Sequence, residues 1–481
     1  MTKEIIVTPL IKSSFFLIII ILVMEACSQK PKNINWKVGE EWLKEGQFKR
    51  LSKWTDSIQE NSAKFDDVWM KADSFKQIAK RVELDFRYSE DEINKQLLES
   101  LGQYSIDDKK KWEDNKLLEY RIINGEKRYF SRAVSNLLRL NKESVDTVIE
   151  SARDIFCRKH TLKVINQTDS VGKCVMPVDF EISYKINLEA DAVPAGETIR
   201  CWMPWPKENH QRQFDLKLIN TSESKYIIAP DSCGQRSIYM EKKAQADRET
   251  VFEVAFSYRS SARYFDPDEM KLEPYKRESE LFLKYTGEEW PHIRFSNRIK
   301  NLTDSIVGKE TEPFNVVRKI YYWIDENIPW AGALEYSTIP NIPEYALDNM
   351  KGDCGIQTLL FMTMARYKGI PVKWQSGWMM HPGEINLHDW CEVYYEGVGW
   401  IPLDMSFGLQ KSENIKLKEF YISGIDSYRM IVNDAIGSEF YPDKKFLRSE
   451  PLDFQRGELE WSGGNIYFNK WGYDLMVKDP Q

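Results

Sequence analysis

A chain of 481 residues is too long for a single hydrophobic core and implies about two to four domains. Apolar residues make up 42% and charged residues 29%, an ordinary globular balance. The net charge of -7 argues against a nucleic-acid-binding surface, because nothing concentrates Lys and Arg for phosphate contacts.

The first residues read as an export signal rather than as fold. Lys3 and Lys12 precede an uninterrupted apolar run, Phe15 to Met24, which is too short to span a bilayer and suits a signal-peptide core. The run ends in Met24-Glu25-Ala26-Cys27-Ser28. A small residue before a Cys at this point resembles a bacterial lipoprotein processing site, with Met24 and Glu25 departing from its usual residues. The resemblance implies that residues 1–27 are a signal peptide ending at a lipidated Cys27. The protein would then be exported and membrane-anchored, periplasmic or on the cell surface, held by a lipid tether rather than a spanning helix.

Residues 36–160 predict a helical domain, rich in helix formers and free of Pro. Ser89-Glu-Asp-Glu92 is a capping box ahead of Ile93, Leu97, Leu98 and Leu101 on one face, with Gly102 as the stop. Asn124-Gly125 between apolar residues predicts a hairpin. From Val178 the apolar residues alternate, and short strands broken by Pro, Gly and Asn predict an antiparallel β-sandwich over 174–262. Trp202 and Trp205 sit in a Trp-Met-Pro-Trp run that reads as a packed strand end, with glycan binding as the minority reading.

Residues 275–410 combine helices with an antiparallel meander, an α+β pattern. Pro313–Asn327 and Cys354–Lys368 are predicted helices, the second closed by Gly369-Ile-Pro371. Predicted strands follow at Pro371–Trp378, Asp389–Tyr395 and Trp400–Leu403. Residues 411–481 read as a C-terminal β-rich extension or flap. The fold class expected is multidomain α+β: N-terminal helices, an antiparallel sandwich, then an α+β catalytic domain.

Three features of 275–410 carry chemistry. In Lys351-Gly-Asp-Cys354-Gly355 a Cys opens a helix, where the helix dipole favours thiolate. His388 opens a strand on which Trp390 and Glu392 share its face, and a neutral imidazole there can take and return a proton. Asp404 closes the neighbouring strand, where a carboxylate can orient that imidazole. Each alone has a bland reading: a structural Cys, an edge His, a turn Asp. Together, Gly-Asp-Cys at 352–354, His-x-Trp-x-Glu-Val at 388–393 and the Asp ending Trp400–Asp404 resemble the transglutaminase-like superfamily of papain-type cysteine enzymes, and Gly369-Ile-Pro-Val372 matches the segment after its catalytic helix.

That resemblance implies Cys354 as nucleophile, His388 as general base and Asp404 as orienting acid, with no cofactor. It places a second oxyanion donor upstream of the Cys, for which Trp330 is the candidate, its alternative being a cleft wall. His381 is a lesser rival to His388, read as lying in a Pro-Gly loop without a strand partner. Cys391 is expected to face away from His388 and pack, and Glu392 to be structural. No metal-ligand spacing occurs. The conceivable disulfides are Cys157–Cys174 and Cys201–Cys233, against these cysteines acting as small buried hydrophobes. The expected activity is a cysteine peptidase or amidase cleaving peptide or protein substrates through a thioester. The alternatives are glutamine-directed protein cross-linking, or a non-enzymatic binding or scaffold lipoprotein.

Overall fold

A computed structural model of the protein describes residues 34–141, 150–208 and 210–478. The signal segment and Cys27 lie outside the described residues. Among those described, no helix is long and apolar enough to cross a membrane.

The chain divides into two compact units: residues up to Ala79 with Ile122–Gly125, and Lys80–Arg121 with Glu126–Gln481. In the first, helices Trp36–Lys44 and Phe48–Glu60 gather an aromatic cluster. Trp36 stacks on Phe75 at 5.9 Å, and Trp54 meets Trp36 and Trp42 edge-on. Gly39 lets the helices close, because a Cβ there would lie 2.7 Å from the Trp54 ring.

The second unit contains mixed α+β architecture. Helices Glu90–Leu101 and Ile106–Asp114 each start at a complete capping box, Ser89 with Glu92 and Ser105 with Asp108. In the first unit, Asn124 and Gly125 both stand at positive φ, the backbone of the tight turn their sequence predicts.

Two five-stranded sheets form the sandwich. In one, the long strands Cys174–Leu188 and Thr250–Tyr264 pair antiparallel, Ile182 opposite Phe256. In the other, Thr198–Pro204 pairs with Ser237–Lys243, Trp202 opposite Tyr239. The alternating apolar residues meet in one core that includes Phe180, Tyr184, Trp202, Trp205 and Phe256, so both Trp of the Trp-Met-Pro-Trp run are packing residues. Cys201 is in this core too, and all six described cysteines are free thiols, so neither conceivable disulfide forms.

The third sheet has four antiparallel strands in the order Gly399–Leu403, Glu384–Tyr395, Val372–His381, Arg429–Asn433. Helices Pro313–Asn327 and Cys354–Tyr367 accompany it. The second is buried almost throughout, which explains why its sequence lacks a polar face. Gly377 lies mid-sheet because a Cβ there would sit 1.9 Å from the Met430 carbonyl oxygen of the neighbouring strand.

Residues 411–481, read from sequence as an extension, supply strands to all three sheets. Trp471–Val477 pairs with Cys174–Leu188, Glu458–Trp461 with Thr198–Pro204, and Arg429–Asn433 with Val372–His381. Each arrival satisfies a row of edge N–H and C=O groups that the earlier strands leave open.

Trp378 joins these layers. It is fully buried, its ring lies 4.8 Å from Tyr184, and its indole N–H donates to the Gln455 carbonyl at 2.9 Å. Trp378→Ala is expected to cost about 3–5 kcal/mol through the cavity it leaves. Thermal and urea denaturation will register that loss; a change below about 1 kcal/mol would mean that the layers do not depend on this residue.

Candidate active site

The helix Cys354–Tyr367 starts at Cys354 because Asp353 caps it, its carboxylate accepting from the Ile356 N–H at 3.2 Å. The Cys354 thiol therefore sits at the positive end of the helix dipole. It opens on a cavity of about 250 Å³, lined also by Trp330, Tyr336, Asp353, Asp389, Asp453 and Gln455. The loop before the helix is pinned by a short parallel bridge, Ala331 N–H to the Gly352 carbonyl at 3.0 Å and Gly352 N–H to the Pro329 carbonyl at 3.2 Å. That bridge carries Trp330 to the rim, where the Arg139 guanidinium lies 4.4 Å from its ring centre.

The side chain against the thiol is Asp389. The thiol donates to its Oδ2 at 3.2 Å. The Tyr336 hydroxyl stands 2.7 Å from Asp353 Oδ1 and 3.3 Å from the same Asp389 oxygen. Gln455 Nε2 donates to Asp389 Oδ1 at 2.7 Å. Gly355 makes this close approach possible: a Cβ there would lie 2.1 Å from the Tyr336 hydroxyl and 2.7 Å from Asp389 Oδ2.

The two other expected site residues meet each other elsewhere. His388 Nε2 lies 2.8 Å from Asp404 Oδ2. Both are buried, in a charge network centred on Arg429, whose guanidinium donates to Asp404 at 2.8 Å and lies 2.9 Å from His381 Nε2. His381 also bonds Asp426 at 3.0 Å, and Phe407 covers His388 edge-on at 5.1 Å. Thus the structure brings His388 and Asp404 together, and sets Cys354 against Asp389 rather than against His388. The cause is strand parity. The strand begins at Glu384, so His388 lies inside it, and consecutive residues point to opposite faces. Asp389 shares the Cys354 side with Cys391, while His388, Trp390 and Glu392 share the other.

His381 also departs from its expected loop. It ends a strand, pairs with Glu384 across the hairpin and is buried by Phe407 and Tyr428. Glu392 is structural as expected, held by Lys373 at 2.7 Å.

The two clusters have opposite electrostatics. Around the thiol, burial together with Asp389 and Asp353 pushes the Cys354 pKa well up. Burial and its carboxylate neighbours Asp453 and Asp353 push Asp389 well above the usual carboxylate range, and burial lifts Asp353 to about 6. In the Arg429 cluster, burial would raise Asp404, but His388 and Arg429 hold it at about 2. Burial lowers the pKa of His388 and takes His381 to about 4.

Residues 300–405 match the family model of the transglutaminase-like superfamily. The chain carries a transglutaminase-like domain. An uncharacterised protein of Haemophilus influenzae is 22% identical over 263 residues, spanning 47% of this chain and 68% of that one. Among solved structures, the chain is similar to a candidate cysteine protease from Cytophaga hutchinsonii, with 12% identity, 64% of this chain and 90% of that one covered, and a TM-score of 0.41. It is also similar to the periplasmic domain of TgpA from Pseudomonas aeruginosa, with 13% identity, 55% and 95% covered, and a TM-score of 0.24. Red sea bream transglutaminase is 13% identical, with 54% and 52% covered and a TM-score of 0.20.

Within the transglutaminase-like domain, motif reading missed Asp389 and Tyr336, and beyond it Asp453 and Gln455. One signal was present for Asp389. Cys391 was assigned to the packing face, and strand parity puts Asp389 on that face. Asp453 and Gln455 lie more than sixty residues further along, in a segment without periodicity, and only folding brings them in.

The Arg429 cluster leads to a stability prediction. Arg429→Ala leaves Asp404 and Asp426 buried without their shared cation and is expected to cost about 3–5 kcal/mol. In the wild type, His381 and His388 are held neutral, with folded pKa values below the unfolded value of about 6.5. Below that value the unfolded chain binds more protons, so stability should fall as pH drops from about 6.5 toward about 4, the His381 value. Urea denaturation across that range checks the sign, and flat stability would contradict the buried neutral imidazoles.

Proposed function

We propose that this protein is a cysteine-dependent amide hydrolase, a peptidase or amidase, with Cys354 as nucleophile and Asp389 as its proton-transfer partner. The observation that carries this reading is a thiol at a helix N-terminus, open to a cavity and directed at a carboxyl oxygen 3.2 Å away. The N-terminal apolar run and Ala26-Cys27 support export and lipid tethering, which would place the substrate outside the cytoplasm.

In this mechanism the Cys354 sulfur bonds to the substrate carbonyl carbon while its proton passes to the Asp389 carboxylate. The C–N bond breaks as the amine leaves with that proton, giving a thioester. Water then gives a proton to Asp389 as it attacks the thioester, and the proton returns to sulfur as the acid departs. The carbonyl oxygen, negative in between, suits the Cys354 N–H at the helix start, which has no intrahelical acceptor. Trp330 on the rim remains the candidate for a second donor. An amine in place of water would give cross-linking by the same steps.

A second reading, a binding protein with an idle core, is favoured by the raised thiol pKa and by an imidazole turned into the Arg429 network instead of toward the thiol. The two readings separate on variants. Cys354→Ala is expected to abolish peptide-amide hydrolysis. Asp389→Asn should lower turnover by about 10²- to 10⁴-fold. The same variant should alkylate faster with iodoacetamide near pH 8, because the thiolate no longer faces a carboxylate. Since the ionised form of Asp389 is the base and its pKa is raised, wild-type turnover should climb with pH beyond the usual carboxylate range. Full turnover in Asp389→Asn would sink the assignment. The absence of both hydrolysis and amine incorporation by wild type, over a peptide library, would leave the binding reading.

A further inference from the structure

We infer that Asp453 and Gln455, contributed by the C-terminal segment, are positioning residues that set the orientation and proton occupancy of Asp389. The inference rests on reading Asp389 as the proton-transfer partner of Cys354.

Asp453 is buried, and a single oxygen of its carboxylate collects three donors. Asn433 Nδ2 donates at 3.1 Å, the Phe454 N–H at 2.8 Å, and the Ser376 hydroxyl completes the set. Donors of this number favour the ionised form. The Asp453 and Asp389 carboxyls line the same cavity, and after burial the Asp453 charge is the chief influence that raises Asp389. Two carboxyls close together in a buried cavity do not readily both ionise, so one of the pair keeps its proton. Burial raises Asp453 too, but its donors pull it back down, so the proton favours Asp389. Gln455 then fixes the geometry. Its Nε2 donates to Asp389 Oδ1 at 2.7 Å and to the His388 carbonyl at 2.8 Å, which leaves Oδ2 turned to the thiol.

The other groups facing Asp389 reinforce this balance. From the helix start come Cys354 and Asp353, and from the 3-10 turn Tyr336–Thr338 the Tyr336 hydroxyl. The cations nearby are committed elsewhere: Arg456 pairs with Glu335 at 2.6 Å, and Arg448 donates to the Asp453 carbonyl at 3.0 Å. Arg132 and Glu450 also line the cavity, Glu450 itself lifted by burial to about 8. No cation contacts the Asp389 carboxylate among the described residues, so beyond burial the largest influence on its proton is Asp453.

The experiment compares pH profiles of peptide-amide turnover, and infrared spectra, for the full chain and two variants. Asp453→Asn removes the facing charge and leaves an amide able to donate to Asp389. Its turnover midpoint should move down by about one pH unit or more. The protonated-carboxyl band that Asp389→Asn removes from the neutral-pH spectrum should be absent from Asp453→Asn as well. Gln455→Ala removes a donor from the Asp389 carboxylate, so its midpoint should move up. Midpoints that stay put while amplitude falls, or that shift in the same direction, would overturn the inference. If Asp453→Asn fails to fold, the upward shift in Gln455→Ala decides alone, and an unmoved midpoint rejects the proposal. Loss of turnover in Cys354→Ala and Asp389→Asn with unmoved midpoints would reject only the role of Asp453 and Gln455. Turnover surviving Asp389→Asn would reject the underlying reading.

Discussion

The side-chain alternation of the strand Glu384–Tyr395 governs this molecule. The strand is paired along both edges, to Val372–His381 on one side and Gly399–Leu403 on the other, so its register cannot slip without breaking two ladders. One face looks to the helix Cys354–Tyr367 and carries Asp389, Cys391 and Val393. The opposite face carries His388, Trp390 and Glu392. A thiol at the helix start can therefore meet one of two neighbouring residues in the His388-Asp389 pair, and the pairing selects Asp389.

The opposite face is organised by charge. Arg429, fully buried, holds Asp404 and Asp426, and these in turn hold His388 and His381. A buried guanidinium needs such partners, since an uncompensated charge at this depth costs several kcal/mol. Asp404, with His388 bonded to it, thus helps neutralise a buried arginine that arrives from the C-terminal segment. That segment also delivers Asp453 and Gln455 to the thiol cavity and closes the edges of three sheets. A chain segment without motifs consequently connects the sandwich, the transglutaminase-like domain and the candidate site.

Much of the local structure was legible because it is written in neighbouring residues. The capping box at Ser89–Glu92, the Asn124-Gly125 turn, the helix Pro313–Asn327 and the strands of the sandwich follow from short-range rules of hydrogen bonding and periodicity. Strand ends were less legible. The sequence pattern starts this strand at Asp389, whereas pairing with Val372–His381 extends it back to Glu384. The residues Glu384-Ile-Asn-Leu387 do alternate polar and apolar, but four residues beside a Pro-Gly turn are too short a run to mark a strand alone, and pairing with Trp378–His381 is what holds them extended. His381 was misplaced in a loop for the same reason.

By itself the sequence determined that Cys354 would head a helix, that His388 and Asp404 would lie side by side on adjacent strands, and that a transglutaminase-like domain would hold all three. Helix starts and hairpin neighbours depend on contacts a few residues apart, which one sequence displays. Which side of the strand faces the thiol was decided only by tertiary structure. Parity gives two equivalent faces, and the choice between them is made by what packs on each: the buried helix on one, the Arg429 charge cluster on the other. The company kept by Cys354 follows from that choice, with Asp389 from the next face residue and Asp453 and Gln455 from a segment that folding carries back across the domain.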